Sequence, residues 1–108
     1  MGNDRGRFQR HFRQFHCKET TGHPSYVYDE TKMEYKTITL TSHSTTNGKE
    51  NIPLDKNPNP KQPKEKSYLH PDSTKIKKGT RNEKLKGWKF AESDKGKVKA
   101  VIENGKKK

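Results

Sequence analysis

Five histidines give this chain its most direct route to chemistry, because histidine transfers protons near neutral pH; they are His11, His16, His23, His43 and His70. RNA cleavage without a metal needs one group to remove the proton of the 2′-hydroxyl, another to protonate the leaving oxygen, and cations around the phosphate. Hydroxyl side chains that could orient a phosphate surround His43 in the sequence, those of Thr41, Ser42, Ser44, Thr45 and Thr46. His70 follows Tyr68 at the end of another predicted strand, and catalytic groups often lie at such loop positions. His43 and His70 are therefore the candidate catalytic pair, although histidines scattered along a short chain are more often surface residues.

A second pattern mixes cations with aromatic rings in the run KLKGWKF at 84–90. Lysines bind phosphates and release counterions, and an exposed ring can stack on an unpaired base for about 1–3 kcal/mol. In a chain with so few apolar residues, Trp88 and Phe90 are more simply anchors of the core, whereas the lysines favour phosphate contact in either case. The candidate nucleic-acid contacts are Arg7, Arg10, Arg13, Lys77, Lys78, Arg81, Lys84, Lys86, Trp88 and Lys89.

The remaining reactive side chains do not form a recognisable site. His11, His16, Cys17 and His23 are of the right types for zinc, but the spacing H-x4-H-C-x5-H matches none of the usual zinc motifs. The single cysteine excludes an internal disulfide framework, and the sequence has no phosphate-binding glycine loop, nucleophile elbow or dinucleotide fingerprint. We predict no metal site and no small-molecule cofactor.

Basic residues are concentrated at the two ends of the chain. Residues 1–28 carry five Lys and Arg against two acids, residues 29–74 carry seven against seven, and residues 75–108 carry thirteen against four. The net charge of +12 is therefore segregated, and segregated positive charge favours a polyanionic partner.

Composition limits the size of any folded core. Only 23% of the 108 residues are hydrophobic, a value that, combined with high charge, is typical of disordered chains. We expect one small domain over residues 1–105, with a proline-rich loop at 55–66 and a basic tail at 106–108. No apolar run approaches the roughly 20 residues that span a bilayer, and the first residues lack the apolar stretch of a secretory signal. We therefore expect a cytoplasmic protein without a membrane partner.

The elements that must position these side chains begin with a predicted helix. Phenylalanines at 8, 12 and 15 fall at helical spacing in the run RGRFQRHFRQFH, residues 5–16. The pattern predicts an amphipathic N-terminal helix that packs its rings on a core and turns Arg10 and Arg13 outward.

Strands are predicted in the middle of the chain. Residues 25–28 are rich in β-formers, and residues 34–42 alternate so that Thr37 lies on one face and Ile38 on the other. These two segments predict a β-hairpin. Asn47-Gly48 is typical of a tight turn, and short strands could follow at 51–54, where Pro53 requires an edge position, and at 67–70.

A second helix is predicted near the C-terminus, where Ser93 could cap a segment that ends at Gly105. The fold class is therefore α+β. We predict a small twisted antiparallel sheet of three or four short strands, which could close into an open barrel, flanked by N- and C-terminal helices and joined by long polar loops.

Two segments, TLTSHSTTNGKENIPLDKNPNP at 39–60 and LKGWKF at 85–90, resemble segments of small uncharacterised proteins carried on bacterial phages and conjugative elements. The resemblance implies a bacterial cytosolic setting and a role in contacts with the host. It assigns no functional residue.

These patterns favour a small basic protein that binds nucleic acid, with RNA or single strands preferred over duplex. The arginines of the first helix and the lysines of residues 75–99 would contact phosphates, and the hydroxyls around His43 would line the site. One alternative is a metal-independent endoribonuclease that uses His43 and His70 for general acid–base catalysis. Another is a protein-binding module that directs its basic surface at an acidic host protein.

Overall fold

The computed structural model describes residues 11–16 and 21–106 of the chain. These residues form nine strands and one helix: β1 His11–His16, β2 Thr21–Glu30, β3 Glu34–Thr41, β4 Thr45–Thr46, β5 Lys49–Glu50, β6 Ile52–Pro53, β7 Tyr68–Leu69, β8 Thr74–Lys77, β9 Asn82–Leu85 and α1 Glu92–Lys106. The helix in this part of the chain is neither long nor apolar enough to cross a membrane.

Strand β3 is the centre of a seven-stranded antiparallel sheet with the order β6-β7-β3-β2-β1-β9. Along one edge of β3 runs β2, with Tyr26 opposite Ile38. The other edge is shared, because β8 pairs with the first half of β3 and β7 pairs with its last two residues, Leu40 and Thr41. The predicted hairpin of β2 and β3 is therefore present at the centre of the sheet.

Strands β4 and β5 form a separate hairpin around the predicted turn. Asn47 and Gly48 have φ angles of 51° and 81°. Two consecutive positive φ values are what a two-residue hairpin turn of type I′ requires, and asparagine followed by glycine tolerates them best.

The predicted arrangement of three or four strands between two helices is wrong. The described residues hold nine strands, seven of them in one sheet, and the C-terminal helix is the only helix among them. Ten residues, including Arg7 and Arg10, precede the first described strand and lie outside the described residues.

The segment predicted as an N-terminal helix forms strand β1 where it is described. Phe12 lies opposite Tyr26 of β2 and opposite Leu85 of β9. Residues three apart in a strand face opposite sides of the sheet. Phe12 therefore contacts Tyr26, with ring centroids 5.0 Å apart, whereas Phe15 contacts Tyr35 on the other face at 5.7 Å. The spacing of Phe12 and Phe15, which predicted one face of a helix, instead places the two rings on opposite faces of the sheet.

Two further strands, β8 and β9, form in the lysine-rich region for which the sequence predicted no strand. Each has one apolar anchor: Ile76 lies opposite Tyr35, and Leu85 lies opposite Phe12. The buried hydroxyl of Thr37 also donates a hydrogen bond to the Thr74 carbonyl at 3.2 Å. Pairing with distant strands therefore decides the conformation of a segment with little strand propensity of its own.

The main core lies between α1 and one face of the sheet. Its buried side chains are Phe12, Tyr26, Tyr28, Ile38, Leu40, Leu69, Phe90, Val98, Val101 and Ile102. A smaller cluster on the opposite face includes Phe15, Val27 and Thr37, all buried. Thr37 and Ile38, adjacent in β3, lie on opposite faces as predicted, and both are fully buried because each face carries packed side chains.

Helix α1 is attached to the proline-rich loop, residues 55–66, by Asp94, whose side chain is 0% exposed. Its carboxylate accepts hydrogen bonds from the backbone N–H groups of Asp55 at 2.8 Å and Lys56 at 3.1 Å, and from the Lys97 ammonium at 3.1 Å. A buried carboxylate needs this degree of hydrogen bonding to offset its desolvation. The helix starts at Glu92, one residue before the predicted cap Ser93.

Candidate nucleic-acid interface

A groove of about 620 Å³ lies between α1 and aromatic side chains of the sheet and of the segment that joins β9 to α1, and we call it the aromatic groove. It is lined by four aromatic residues, two aliphatic residues and four charged residues: Phe12, Tyr26, Trp88, Phe90, Val98, Ile102, Lys89, Lys95, Lys99 and Glu103. An apolar floor with a cationic rim suits a ligand that combines a planar apolar part with negative charge.

The rings of the aromatic groove form a connected cluster, but they differ in exposure. Phe12, Tyr26 and Phe90 are 3%, 8% and 9% exposed, and the centroid distances between them are 4.8–5.0 Å. Trp88 contacts Phe12 at 5.6 Å and is only half-buried. Phe90 is thus a core anchor, as expected, whereas Trp88 packs on the core and also stays partly exposed in the wall of the groove.

Helix α1 places two lysines on the rim of the groove. Lys95 and Lys99 are four residues apart, about one helical turn, and both are exposed. Lys89 is also exposed and directly follows Trp88. Among the described residues that line the groove, Glu103 is the one acid. The rim therefore attracts anions.

One rim lysine has a partner within the helix. The Lys95 ammonium lies 2.9 Å from the carboxylate of Glu92, and both side chains are largely exposed. An exposed pair of this kind contributes at most about 1 kcal/mol, so it does not prevent Lys95 from binding a phosphate.

Lys97 has a structural role instead. Its ammonium lies 3.1 Å from Asp94 and 3.2 Å from Asp55. The hydrogen bond to Asp94 is the main cause that raises the pKa of Lys97, and a hydrogen bond from Ser93, followed by the contact with Lys97, lowers the pKa of Asp55. These groups are committed to joining α1 to the loop.

Trp88 also lines a second depression of about 460 Å³, which we call the polar cleft. Its polar lining comes from strands β1–β3 and their ends on one side and the proline-rich loop on the other: Gln14, His23, Thr41, Ser42, Asn57, Asn59, Gln62, Glu65, Lys66 and Ser67. Trp88 therefore forms part of the wall of both depressions, one charged and the other mainly uncharged.

The backbone around Trp88 fixes the position of this shared side chain. Gly87 has a φ of 82°, a conformation that residues with a Cβ adopt only with strain. The backbone N–H of Lys89 donates to the carbonyl of Pro58 at 3.4 Å. The segment that carries Trp88 is thereby held against the proline-rich loop.

Side-chain amides give the proline-rich loop its shape. Asn57 accepts a hydrogen bond from the backbone N–H of Asn59 at 3.0 Å and donates to the backbone carbonyl of Gln62 at 2.9 Å. Asn59 donates to the side-chain oxygen of Gln62 at 3.3 Å. Three amide side chains are therefore held together on the loop side of the polar cleft.

Three of the predicted nucleic-acid contacts lie on the face of the sheet opposite the aromatic groove. The guanidinium of Arg13 and the ammonium of Lys78 lie 5.1 Å and 5.4 Å from the ring centroid of Tyr35, and Lys84 is the register partner of Arg13. Lys78 also pairs with Glu30 at 2.7 Å.

Arg13 has further polar partners on this face, since it donates to His11 at 3.0 Å and to Asn82. Arg13 and Lys78 are thus engaged in contacts that hold this face together.

The other predicted cations divide between surface positions and undescribed ones. Lys77, Arg81 and Lys86 are exposed and belong to neither the aromatic groove nor the polar cleft. Arg7 and Arg10 lie outside the described residues. The structure therefore brings Trp88 and Lys89 together in one groove, whereas the other predicted contacts within the described part of the chain lie on other surfaces.

The two predicted catalytic histidines occupy different surroundings. His70 is half-buried, and its backbone N–H donates to the Thr39 carbonyl at 3.0 Å. Burial lowers the pKa of His70, the charge of His23 lowers it further, and Asp72 opposes the shift. His43 is exposed beyond the end of β3, where its backbone N–H donates to the Thr41 hydroxyl at 3.2 Å. The histidine whose charge acts on His70 is therefore His23.

Sequence reasoning missed two parts of this interface. Lys95 and Lys99 belong to the lysines of residues 75–99 but were not singled out, although their four-residue spacing on a predicted helix places them on one face. The amides of the polar cleft carry no signal that single-sequence analysis could use, because their position beside Trp88 depends on the long-range contacts of Asp94 and Lys89.

Comparisons with protein families, with curated proteins and with solved structures find no match for this chain. Within residues 11–16 and 21–106, no three His, Cys, Asp or Glu side chains come together as ligands of a metal ion would.

Proposed function

We propose that this protein binds single-stranded nucleic acid, RNA in preference to DNA, in the aromatic groove. The observation that carries the proposal is the half-buried ring of Trp88 in a groove that Lys89, Lys95 and Lys99 also line. Rings and cations on one surface are the combination by which proteins bind single strands without a duplex.

Phosphates of the strand would bind the three lysines. Each phosphate that a protein neutralises on a single strand releases counterions, which lowers log K by about 0.7 per unit of log salt concentration. Three lysines therefore account for a slope of about −2. The overall charge of +12 would add steering over a longer range.

An unpaired base would stack on Trp88. Such stacking contributes about 1–3 kcal/mol per base and does not depend strongly on which base is present. A duplex keeps its bases inside its own stack, so Trp88 would gain little from it. The preference for single strands follows from this difference.

A preference for RNA is supported by a hydroxyl near the groove. Ser42, one of the hydroxyl residues around His43, is exposed and lines the polar cleft that shares Trp88 with the groove. A hydroxyl can donate to or accept from the 2′-hydroxyl, which DNA lacks.

The test is a salt-dependent titration of the full chain with RNA and DNA oligomers of about eight nucleotides, within the usual site size of such proteins. Trp88 is the only tryptophan in the sequence, so its fluorescence reports directly on stacking. We expect quenching on binding, tighter binding of RNA than of DNA, and weaker binding of duplex.

A matched pair of triple variants separates the groove from diffuse charge. Lys89→Ala/Lys95→Ala/Lys99→Ala removes the rim, and Lys32→Ala/Lys61→Ala/Lys64→Ala removes the same charge from exposed lysines that do not line the groove. The first variant should make the salt slope less negative by about 2, and the second should change it much less. Equal slopes for the two variants, or no binding at low salt, would refute the proposal. Binding of polyglutamate as tight as that of RNA would favour the protein-binding alternative instead.

A further inference from the structure

We infer that the polar cleft reads the edge of an unpaired base, so that the chain binds RNA with a preference among bases. This inference rests on the proposed function, because it requires a strand in the adjoining aromatic groove. Stacking and phosphate contact alone would give little sequence preference.

The lining of the polar cleft has the chemistry of base recognition. It combines three side-chain amides on the loop side with the hydroxyls of Thr41 and Ser42, and its two charged residues, Glu65 and Lys66, are of opposite sign. Amides and hydroxyls offer donors and acceptors together, which is what the edges of bases present. A phosphate site would instead need an excess of cations, such as the aromatic groove has.

The side chain shared by the two depressions would connect the phosphate contacts of a bound strand with the contacts of its bases. Trp88 lines both, whereas Lys89, the next residue, lines the aromatic groove and not the polar cleft. A strand whose phosphate contacts Lys89 would therefore bring its base to the Trp88 ring. The edge of that base, or of its neighbour, would then face the amides across the cleft.

Two exposed residues of the cleft are available for a ligand. Gln62 accepts one long hydrogen bond of 3.3 Å from Asn59, and its Nε2 donates none within the described part of the chain. His23 is exposed at the strand side of the cleft and can donate or accept through its ring. Asn57, by contrast, is occupied in holding the loop. Gln62 and His23 are therefore the residues that we assign to base recognition.

The experiment compares dissociation constants of the full chain for oligo(A), oligo(C) and oligo(U) of one length at one salt concentration. We expect the best and the poorest of the three to differ about tenfold, the effect of one well-made polar contact to a base edge. Gln62→Ala and His23→Ala should each reduce this ratio at least threefold. Both side chains are exposed, and the Gln62 side chain contributes only the 3.3 Å hydrogen bond from Asn59 to the loop, so the fold should be retained; thermal unfolding of each variant checks this.

Asn104→Ala is the amide control, since Asn104 is exposed on α1 and does not line the polar cleft. Its ratio between the poorest and the best dissociation constant should equal that of the unmodified chain. Salt-dependent binding with equal affinity for the three oligomers would overturn the inference and leave the proposed function standing. A base preference that both cleft variants retain in full would also overturn it. Loss of all RNA binding at low salt in the unmodified chain would instead refute the proposed function itself.

Discussion

The carboxylate of Asp94 accepts a hydrogen bond of 2.8 Å from the backbone N–H of Asp55, a residue 39 positions earlier in the chain. Asp94 lies in the first turn of α1, and Asp55 begins the proline-rich loop. The helix carries Lys95 and Lys99 of the aromatic groove, and the loop carries Gln62 of the polar cleft. This buried contact therefore joins the element that carries the lysines of the aromatic groove to the loop that lines the polar cleft.

Replacement of Asp94 by alanine should destabilise the fold strongly. Two backbone N–H groups would lose their acceptor and the Lys97 ammonium would lose one of its acceptors, and hydrogen bonds to charged groups contribute about 1.5–3 kcal/mol each. Because water can reach part of this site after the change, we expect a loss of about 2–4 kcal/mol in urea unfolding, with a smaller loss for Asp94→Asn. Glu92→Ala, an exposed acid in the same helical turn, should cost about 0.5 kcal/mol or less. Equal losses for Asp94→Ala and Glu92→Ala would show that the contact is not needed.

Gly87→Ala should weaken both the fold and RNA binding. The φ of 82° at this position would cost an alanine about 1–2 kcal/mol, and any relaxation of the backbone would move the neighbouring Trp88. Gly79→Ala is the matched control, because Gly79 is exposed and no atom lies within 4 Å of its added Cβ. We expect a lower urea midpoint and reduced fluorescence quenching by RNA for Gly87→Ala only. Unchanged quenching in a Gly87→Ala variant would contradict the prediction, because it would show that the Gly87 backbone does not control the position of Trp88.

His70 should make the fold less stable in mild acid. Its folded pKa lies below the ordinary value of 6.5, chiefly because it is buried, so the unfolded chain binds more protons there. Stability should therefore fall as the pH drops below about 6.5 and stop falling, for this group, once the pH is below the folded pKa. Urea unfolding at pH 7.5 and pH 5.0 should show a smaller pH effect in His70→Gln, with exposed His43→Gln as the control. An NMR titration that gave His70 a pKa of 6.5 or higher would contradict this prediction.

RNA should be recovered intact after incubation with the protein in EDTA. Acid–base cleavage by His43 and His70 needs both imidazoles at one phosphate, whereas His43 is exposed beyond the end of β3 and His70 is half-buried after β7. Gel analysis over a range of pH measures this, with heat-denatured protein as the control. Cleavage with a bell-shaped pH profile that disappears in both His43→Ala and His70→Ala would establish the ribonuclease alternative.

The central hairpin of the sheet was predictable because its pattern is local. Residues 34–42 alternate between two faces, and the structure buries Thr37 on one side and Ile38 on the other. The turn at Asn47-Gly48 was predictable for a similar reason, since its positive φ angles suit only a few residue types. Both elements could be predicted from the sequence because the residues that determine them lie within about ten positions of one another.

Strand β1 was mispredicted because the spacing of Phe12 and Phe15 fits two structures. In a helix, residues three apart share one face, but in a strand buried on both faces they serve opposite faces. The choice depends on Tyr26 and Tyr35, the partners that the fold supplies from elsewhere. Strands β8 and β9 were missed for the same reason, because their pairing partners lie far away in sequence.

The candidate interface was predictable in its residue types but not in its geometry. The run 84–90 indicated Trp88 and Lys89, which the structure places in one groove. Whether Trp88 would be a core anchor or a surface ring could not be decided from the sequence, and in the fold it is both. The polar cleft could not be predicted from the sequence, because it forms only where the proline-rich loop packs against the segment that carries Trp88.

The two outer strands of the main sheet carry residues that disfavour pairing with a strand of another molecule. Pro53 on β6 has no N–H with which to extend the ladder, and the exposed charges of Glu83 and Lys84 lie on β9 at the other end. Both features disfavour the addition of a strand from another molecule. Copies of this chain that are brought to high local concentration should therefore not join through the edges of their sheets.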